Sequence, residues 1–135
     1  RSTLPLMFDR GGRVVTIGST ASSVITGGGS AASYAASKAG LVQLTRQIAV
    51  DYAPRRILAN CVCPGWIDTH LNEHSRAAAG QAWTDERLPR RDFPAPLGGP
   101  GTPDQIAGLV RFLLGPEASY ITGTAIPVDG GYTSI

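Results

Sequence analysis

Ile57-Leu58-Ala59-Asn60-Cys61-Val62-Cys63-Pro64-Gly65 is the stretch on which the fold turns. From Ile57 to Cys63 every residue except Asn60 is apolar, polar and apolar positions do not alternate, and Pro-Gly closes the run. A strand with one wet face alternates. One that is apolar throughout is covered on both faces, as inside a parallel sheet. The run also holds both cysteines of the chain. Two residues apart on a strand, Cys61 and Cys63 point to the same side. They are too close to form a useful disulfide loop and too few for a closed zinc site. They read as two small buried hydrophobes in a reducing compartment.

Upstream of this strand, Ser33 to Ala53 has helical spacing. Leu41, Leu44 and Ile48 form one apolar stripe, and Ala35, Ala39, Val42 and Ala49 form a second of smaller residues. Two stripes predict burial on both sides, inside a larger domain or against another subunit, and Pro54 stops the helix. Arg13-Val-Val-Thr-Ile17, after Gly11-Gly12, is a β-branched run and predicts a buried strand. A Gly/Ser/Thr-rich loop from Gly18 to Ser30 follows it. Downstream, residues 70–100 are rich in Ala, Arg and Pro and predict an irregular excursion. Thr102-Pro103-Asp104 then starts a second helix, with a capping hydroxyl, a proline in the first turn and an acid near the positive end of the dipole. Ile106, Leu109, Val110, Leu113 and Leu114 keep helical spacing until Gly115-Pro116. Thr124 to Val128 is the last strand, and Pro127 suits it to a sheet edge. Strand-helix-strand-excursion-helix-strand predicts an α/β fold: the second half of a doubly wound parallel sheet with helices on both faces.

A chain of 135 residues suffices for one domain with a core and is too short for two. With 42% hydrophobic and 16% charged residues it is globular rather than disordered. The net charge of +2 comes from scattered basic residues, and the densest group is Arg90-Arg91, so no nucleic-acid stripe is present and nucleic acid is not an expected partner. The longest uncharged stretch, Val14 to Ser37, holds more Gly, Ser and Thr than apolar residues. A bilayer span needs roughly 20 mostly apolar ones, which excludes a membrane helix. The chain opens on Arg1-Ser2-Thr3-Leu4, without an initiator Met or a signal-peptide pattern, and an amino-terminal part is expected to be missing.

Tyr34 and Lys38, four apart at the start of the first helix, share one face. Among 12 basic residues Lys38 is the single lysine, a compact ammonium in a chain that otherwise uses arginine. Such a pair suits proton transfer. A phenol titrates near pH ~10, so acting near neutrality requires about 4 kcal/mol in favour of its anion. An ammonium ~4 Å away at an effective dielectric of ~20 supplies about that amount. Taken alone, the pair is more often a solvated lysine beside a packed tyrosine.

Four motifs in order remove that ambiguity: Gly12-Arg-Val-Val-Thr-Ile-Gly-Ser19, Tyr34-Ala-Ala-Ser-Lys38, Asn60-Cys-Val-Cys-Pro64-Gly65-Trp-Ile67-Asp-Thr69, and Ile121-Thr-Gly123 with Val128-Asp-Gly-Gly131. Together they closely resemble the C-terminal half of the short-chain dehydrogenase/reductase family, over residues 4 to 133. The resemblance implies a Rossmann-like fold and NAD or NADP as cofactor. It assigns Ser19 to hydrogen-bonding the substrate oxygen and Tyr34 to general acid/base catalysis. Lys38 is assigned to holding the nicotinamide ribose and favouring the phenolate. Pro64 and Gly65 form the turn beside the nicotinamide, and the Ile67 backbone and the Thr69 hydroxyl fix its carboxamide. Asn60 is structural in this reading, and Val128 to Gly131 support the fold and subunit contacts. Segment 70–100 is the substrate lid, with Trp66, Leu71, Trp83, Phe93 and Leu97 as its apolar contacts. Arg87, Arg90 and Arg91 read as a solvated cluster before they read as an anionic-substrate site. The loop through Gly27-Gly28-Gly29 is longer than in many members, which makes Ser22 and Ser23 minor rivals of Ser19. Gly98-Gly99-Pro100 lacks the arginine common at that turn. The phosphate loop, the residue choosing NAD or NADP and the relay asparagine lie upstream in this family and outside this sequence.

The expected protein is a cytoplasmic NAD(P)-dependent oxidoreductase acting on a small-molecule alcohol or ketone, a homo-oligomer (dimer or tetramer), with no metal. The alternative is a non-catalytic truncated fragment acting only as an oligomerisation or interaction module. Against it, the Arg13 to Ile17 strand would then be an exposed apolar edge. A sugar-nucleotide epimerase or dehydratase shares Tyr-x-x-x-Lys, but the Pro64-Gly65 turn and the Val-Asp-Gly-Gly ending speak against it.

Overall fold

Three strands, β1 (Gly12–Ile17), β2 (Ile57–Pro64) and β3 (Ala125–Val128), form a parallel sheet in the order β1-β2-β3. The structure, a computed structural model, describes residues 3–24, 32–69 and 95–134. The expected strand at 57–63 is thus the central one, with Gly12 opposite Ile57 on one side and Cys61 opposite Ala125 on the other. Its two faces bury against different partners. Cys61 and Cys63 pack with Val42 of helix α1 (Ala32–Tyr52). Val62 packs on the opposite side with Leu113 of helix α2 (Pro103–Leu114), Ala118, Val15 and Ile126. Alternate residues of β2 therefore meet two apolar layers, the physical reason for its unalternated sequence. Burying Val62 and Leu113 contributes about 1.5–3 kcal/mol each.

The polar exception is satisfied. Asn60 is buried, its Nδ2 donates to Ile121 O at 2.8 Å, and its Oδ1 accepts from Thr124 N–H at 3.3 Å. It ties the entry of β3 to β2. Pro127 stands opposite Cys63 on β3, at the edge where its missing N–H leaves no ladder bond unmade. Thr102 N–H donates to Gln105 Oε1 at 2.8 Å at the start of α2. Tyr52 ends α1, and Arg56, at φ 57, turns the chain into β2.

The loop after β1 contains a 3-10 turn at Thr20–Ser22. On α1, Val42, Thr45 and Ala49 are buried against the sheet, Leu41 and Ile48 of the larger stripe are half-buried, and Leu44 is 55% exposed. Of the small-residue stripe, Ala39 is exposed. No helix among the described residues is long and apolar enough to cross a membrane.

Candidate active site

Parallel strands end on one edge, and here hydrogen bonding runs past their last residues. Gly18 N–H donates to Val62 O at 2.7 Å and Gly65 N–H to Val128 O at 3.0 Å. The segments following β1, β2 and β3 are thereby laced together. Both glycines allow close approach. A Cβ on Gly18 would lie 2.7 Å from Cys61 Sγ, and one on Gly65 would lie 2.7 Å from Asp129 Cβ and 2.8 Å from Asp129 Cα.

Ser19 follows directly, with extended backbone, and its Oγ accepts from Ala21 N–H at 3.2 Å. The neighbouring serines are spent on backbone: Ser22 Oγ donates to Ser19 O at 2.7 Å and Ser23 Oγ to Thr20 O at 3.2 Å. Among the described residues the Ser19 hydroxyl proton is not committed.

Helix α1 brings two groups to the same edge. Lys38 Nζ donates to Ile17 O, the last carbonyl of β1, at 2.9 Å and lies 5.6 Å from the centre of the Tyr34 ring. Tyr34 is 44% exposed. The four-residue spacing thus brings cation and phenol onto one helix face, the cation held at the end of β1 and the phenol open to solvent.

After Gly65 the chain is pinned to residue 101. Gly101 N–H donates to Trp66 O and Asp68 N–H to Gly101 O, both at 2.9 Å. In this parallel bridge the N–H and C=O of Ile67 itself point away from residue 101 and make no hydrogen bond among the described residues. Thr69 is exposed at the end of this stretch. Of the apolar residues assigned to the lid, Trp66 and Leu97 are exposed. Leu71, Trp83 and Phe93, with Arg87, Arg90 and Arg91, lie outside the described residues.

Asp129 is the residue at this edge that sequence reasoning underrated. Its carboxylate accepts from Gly131 N–H at 3.0 Å, Thr133 N–H at 2.9 Å and Thr133 Oγ1 at 2.7 Å. Burial alone would raise its pKa, but these hydrogen bonds outweigh it and hold the carboxyl below the usual range. The signal was an acid before Gly130 and Gly131, which have φ 62 and 88: a turn-forming carboxylate, visible in the motif but read there only as general support.

The cysteines stay unbridged, with Sγ atoms 3.9 Å apart. Burial, and then the neighbouring Cys61, push the Cys63 thiol up, so it is a poor nucleophile. A cavity of about 290 Å³ beside it is lined by residues including Thr20, Val42, Arg46 and Pro127. Neither Tyr34 nor Lys38 lines it, so it is separate from the strand-end edge where that pair stands.

Residues 1–133 match the family model described as enoyl-(acyl carrier protein) reductase. The chain belongs to the short-chain dehydrogenase/reductase family. It is 38% identical over 130 residues to cyclohexanol dehydrogenase of Rhodococcus sp. (strain TK6), covering 96% of this chain and 46% of that protein. It is 40% identical over 132 residues to the 3-oxoacyl-[acyl-carrier-protein] reductase MabA of Mycobacterium bovis, covering 97% and 49%. Among solved structures, a short-chain type dehydrogenase/reductase from Mycobacterium marinum superposes with a TM-score of 0.75 at 35% identity, over 96% of this chain and 48% of that one. The chain spans about half the length of the curated relatives it matches.

As a short-chain dehydrogenase/reductase, the chain has a Rossmann-like arrangement of parallel strands and flanking helices over the region it covers. At the strand-end edge of this fold stand Ser19, Lys38 with Tyr34, the Pro64-Gly65 turn and the Ile67 backbone, which is unengaged among the described residues.

Proposed function

We propose that the protein carrying this chain interconverts an alcohol and a carbonyl compound with NAD or NADP, and that Tyr34 is its general acid/base. The observation that carries this reading is the placement of Lys38, 5.6 Å from the Tyr34 ring and anchored on Ile17 O at the end of β1. Ser19 is preferred to Ser22 and Ser23 because theirs are the hydroxyls already donated to backbone.

The donor set fits the cofactor. An ammonium has three protons and Lys38 places one on Ile17 O, leaving donors for the hydroxyls of a ribose. The N–H and C=O of Ile67 complement a carboxamide, and Thr69, exposed two residues on, adds a hydroxyl. Pro64 and Gly65 form the adjoining wall. When bound, NAD(P) supplies or accepts the hydride. The chain handles the proton. Ser19 Oγ donates to the substrate oxygen and holds it toward Tyr34. In reduction the Tyr34 hydroxyl gives its proton to that oxygen, and in oxidation it takes one back. The Lys38 charge stabilises the negative charge left on the phenol oxygen when its proton has gone.

The relatives' names include a cyclohexanol dehydrogenase, a 3-oxoacyl reductase and a galactitol 2-dehydrogenase. They share a carbon bearing a hydroxyl or oxo group, which supports a small-molecule alcohol or ketone as the substrate class. The free thiols suit a reducing, cytoplasmic location, and the exposed Leu44 and Val50 suit a dimer or tetramer. Tyr34→Phe in the full-length protein tests the chemistry. It removes the proton and leaves the ring, so turnover falls by about 10²–10⁴-fold while cofactor binding, followed by fluorescence titration, survives. Turnover near the unsubstituted rate would refute the assignment.

A further inference from the structure

Between α1 and β1 lies a polar link that the chemistry above does not use. Thr45 is 0% exposed, on the helix face that also buries Val42 and Ala49. Its hydroxyl donates to Leu41 O at 2.7 Å. A hydroxyl has a single proton, so the 2.7 Å contact between Thr45 Oγ1 and Thr16 Oγ1 is donated by Thr16. The other polar tie between α1 and β1 is Lys38 Nζ on Ile17 O, and the apolar face of α1 lies on β2, with Val42 against Cys61 and Cys63. Apolar packing is non-directional, whereas a short hydrogen bond between two fixed elements is directional. A valine at position 45 would fill the same space with no polar group to desolvate. The hydroxyl therefore contributes direction and not volume.

The direction concerns the site. Lys38 lies two helical turns before Thr45 on the same helix, and the β1 atom it holds, Ile17 O, belongs to the residue after Thr16. We propose that Thr16 and Thr45 are a positioning pair that sets the register of α1 on β1, and through it the placement of Lys38 and Tyr34 relative to Ser19. The inference rests on the reading of Tyr34 and Lys38 given above. Because a helix moves as a rod, slippage at Thr45 is delivered undiminished to Lys38 and Tyr34.

The test uses Thr45→Val, Thr45→Ser and Thr16→Val in the full-length protein, with rates taken per folded molecule after circular dichroism. Misplacement of catalytic groups by about 1 Å costs up to about 10²-fold, so T45V lowers kcat by about tenfold to a hundredfold. T45S, which keeps the hydroxyl and loses the methyl, turns over near the unsubstituted rate. T16V matches T45V, and the double variant adds little to either, because both remove one interaction. Equal damage in T45S and T45V would show that shape and not the hydroxyl matters, and full activity in T45V would overturn the inference outright. Should T45V not fold, T16V against Thr16→Ser makes the same comparison at the half-buried end of the pair. Lys38→Met separates the two levels: near-normal turnover there defeats the site reading itself. A K38M loss with an unaffected T45V defeats only the positioning role.

Discussion

Replacing Gly65 by alanine puts a methyl group where the ends of β2 and β3 meet. The new Cβ would lie 2.7 Å from Asp129 Cβ and 2.8 Å from Asp129 Cα, against a comfortable carbon-carbon separation of about 3.5–4.0 Å. The overlap of about 1 Å falls partly on backbone, which has no rotamer to escape into. Asp129 is also held from behind by the two N–H groups and the hydroxyl it accepts from. The remaining relief is to part the strand ends, stretching the 3.0 Å bond from Gly65 N–H to Val128 O. Overpacking of this kind costs about 1–3 kcal/mol. In urea unfolding, the midpoint falls while the slope against denaturant stays the same, since the surface exposed is unchanged. In the proposed function the Pro64-Gly65 turn and the Ile67 backbone hold the cofactor, so the KM for NAD(P) is expected to rise as well. A G65A protein that unfolds at the unsubstituted midpoint would show that Asp129 is not a rigid wall. One that is destabilised with an unchanged cofactor KM would remove the turn from the cofactor site.

The same aspartate has a pH signature. Its folded pKa lies below the unfolded value, so its stabilisation is complete above the ordinary aspartate range near ~3.9 and is lost as pH falls through the lower folded value. Unfolding free energies of the natural protein and Asp129→Asn should therefore differ at neutral pH and converge in acid; a gap that persists unchanged into acid would refute the carboxylate's role. On the outer face of α1, Leu44 and Val50 are 55% and 72% exposed. Sedimentation of the full-length protein is expected to show a dimer or tetramer that Leu44→Glu weakens, and a stable monomer at micromolar concentration would contradict this.

The order of elements was legible because each carries a local signal: an unalternated run for β2, a β-branched run for β1, Pro103 and Gly115-Pro116 around α2. Asn60 was legible as structural because a lone amide in an apolar strand must find partners, and it finds Ile121 O and Thr124 N–H. The outer stripe of α1 was legible only as an apolar face, because periodicity reports that a face is apolar and not what covers it. Thr45 carried a readable signal, a hydroxyl on the stripe that holds Val42 and Ala49, but its partner Thr16 is distant in sequence and only the register of α1 against β1 brings them together. The close approach of Gly65 to Asp129 was hidden in the same way. It depends on β2 and β3 ending level, which the pairing of Pro64 with Val128 determines.

These long-range contacts account for how groups scattered along the chain form one site. Ser19 follows β1, Gly65 follows β2 and Asp129 follows β3, and the bonds from Gly18 to Val62 O and from Gly65 to Val128 O make the three positions move together. Among the described residues, Tyr34 and Lys38 are the proposed chemical groups that come to this edge from outside the sheet, and they arrive on one helical turn. The placement of that turn is thus the coordinate which the sheet itself does not determine. The two bonds that do determine it, Lys38 to Ile17 O and Thr16 to Thr45, both end on the last two residues of β1. A substitution that leaves every proposed catalytic group in place but loosens this seam should therefore act on turnover before it acts on the fold, because the packing of Val42 against Cys61 and Cys63 does not use the two hydroxyls.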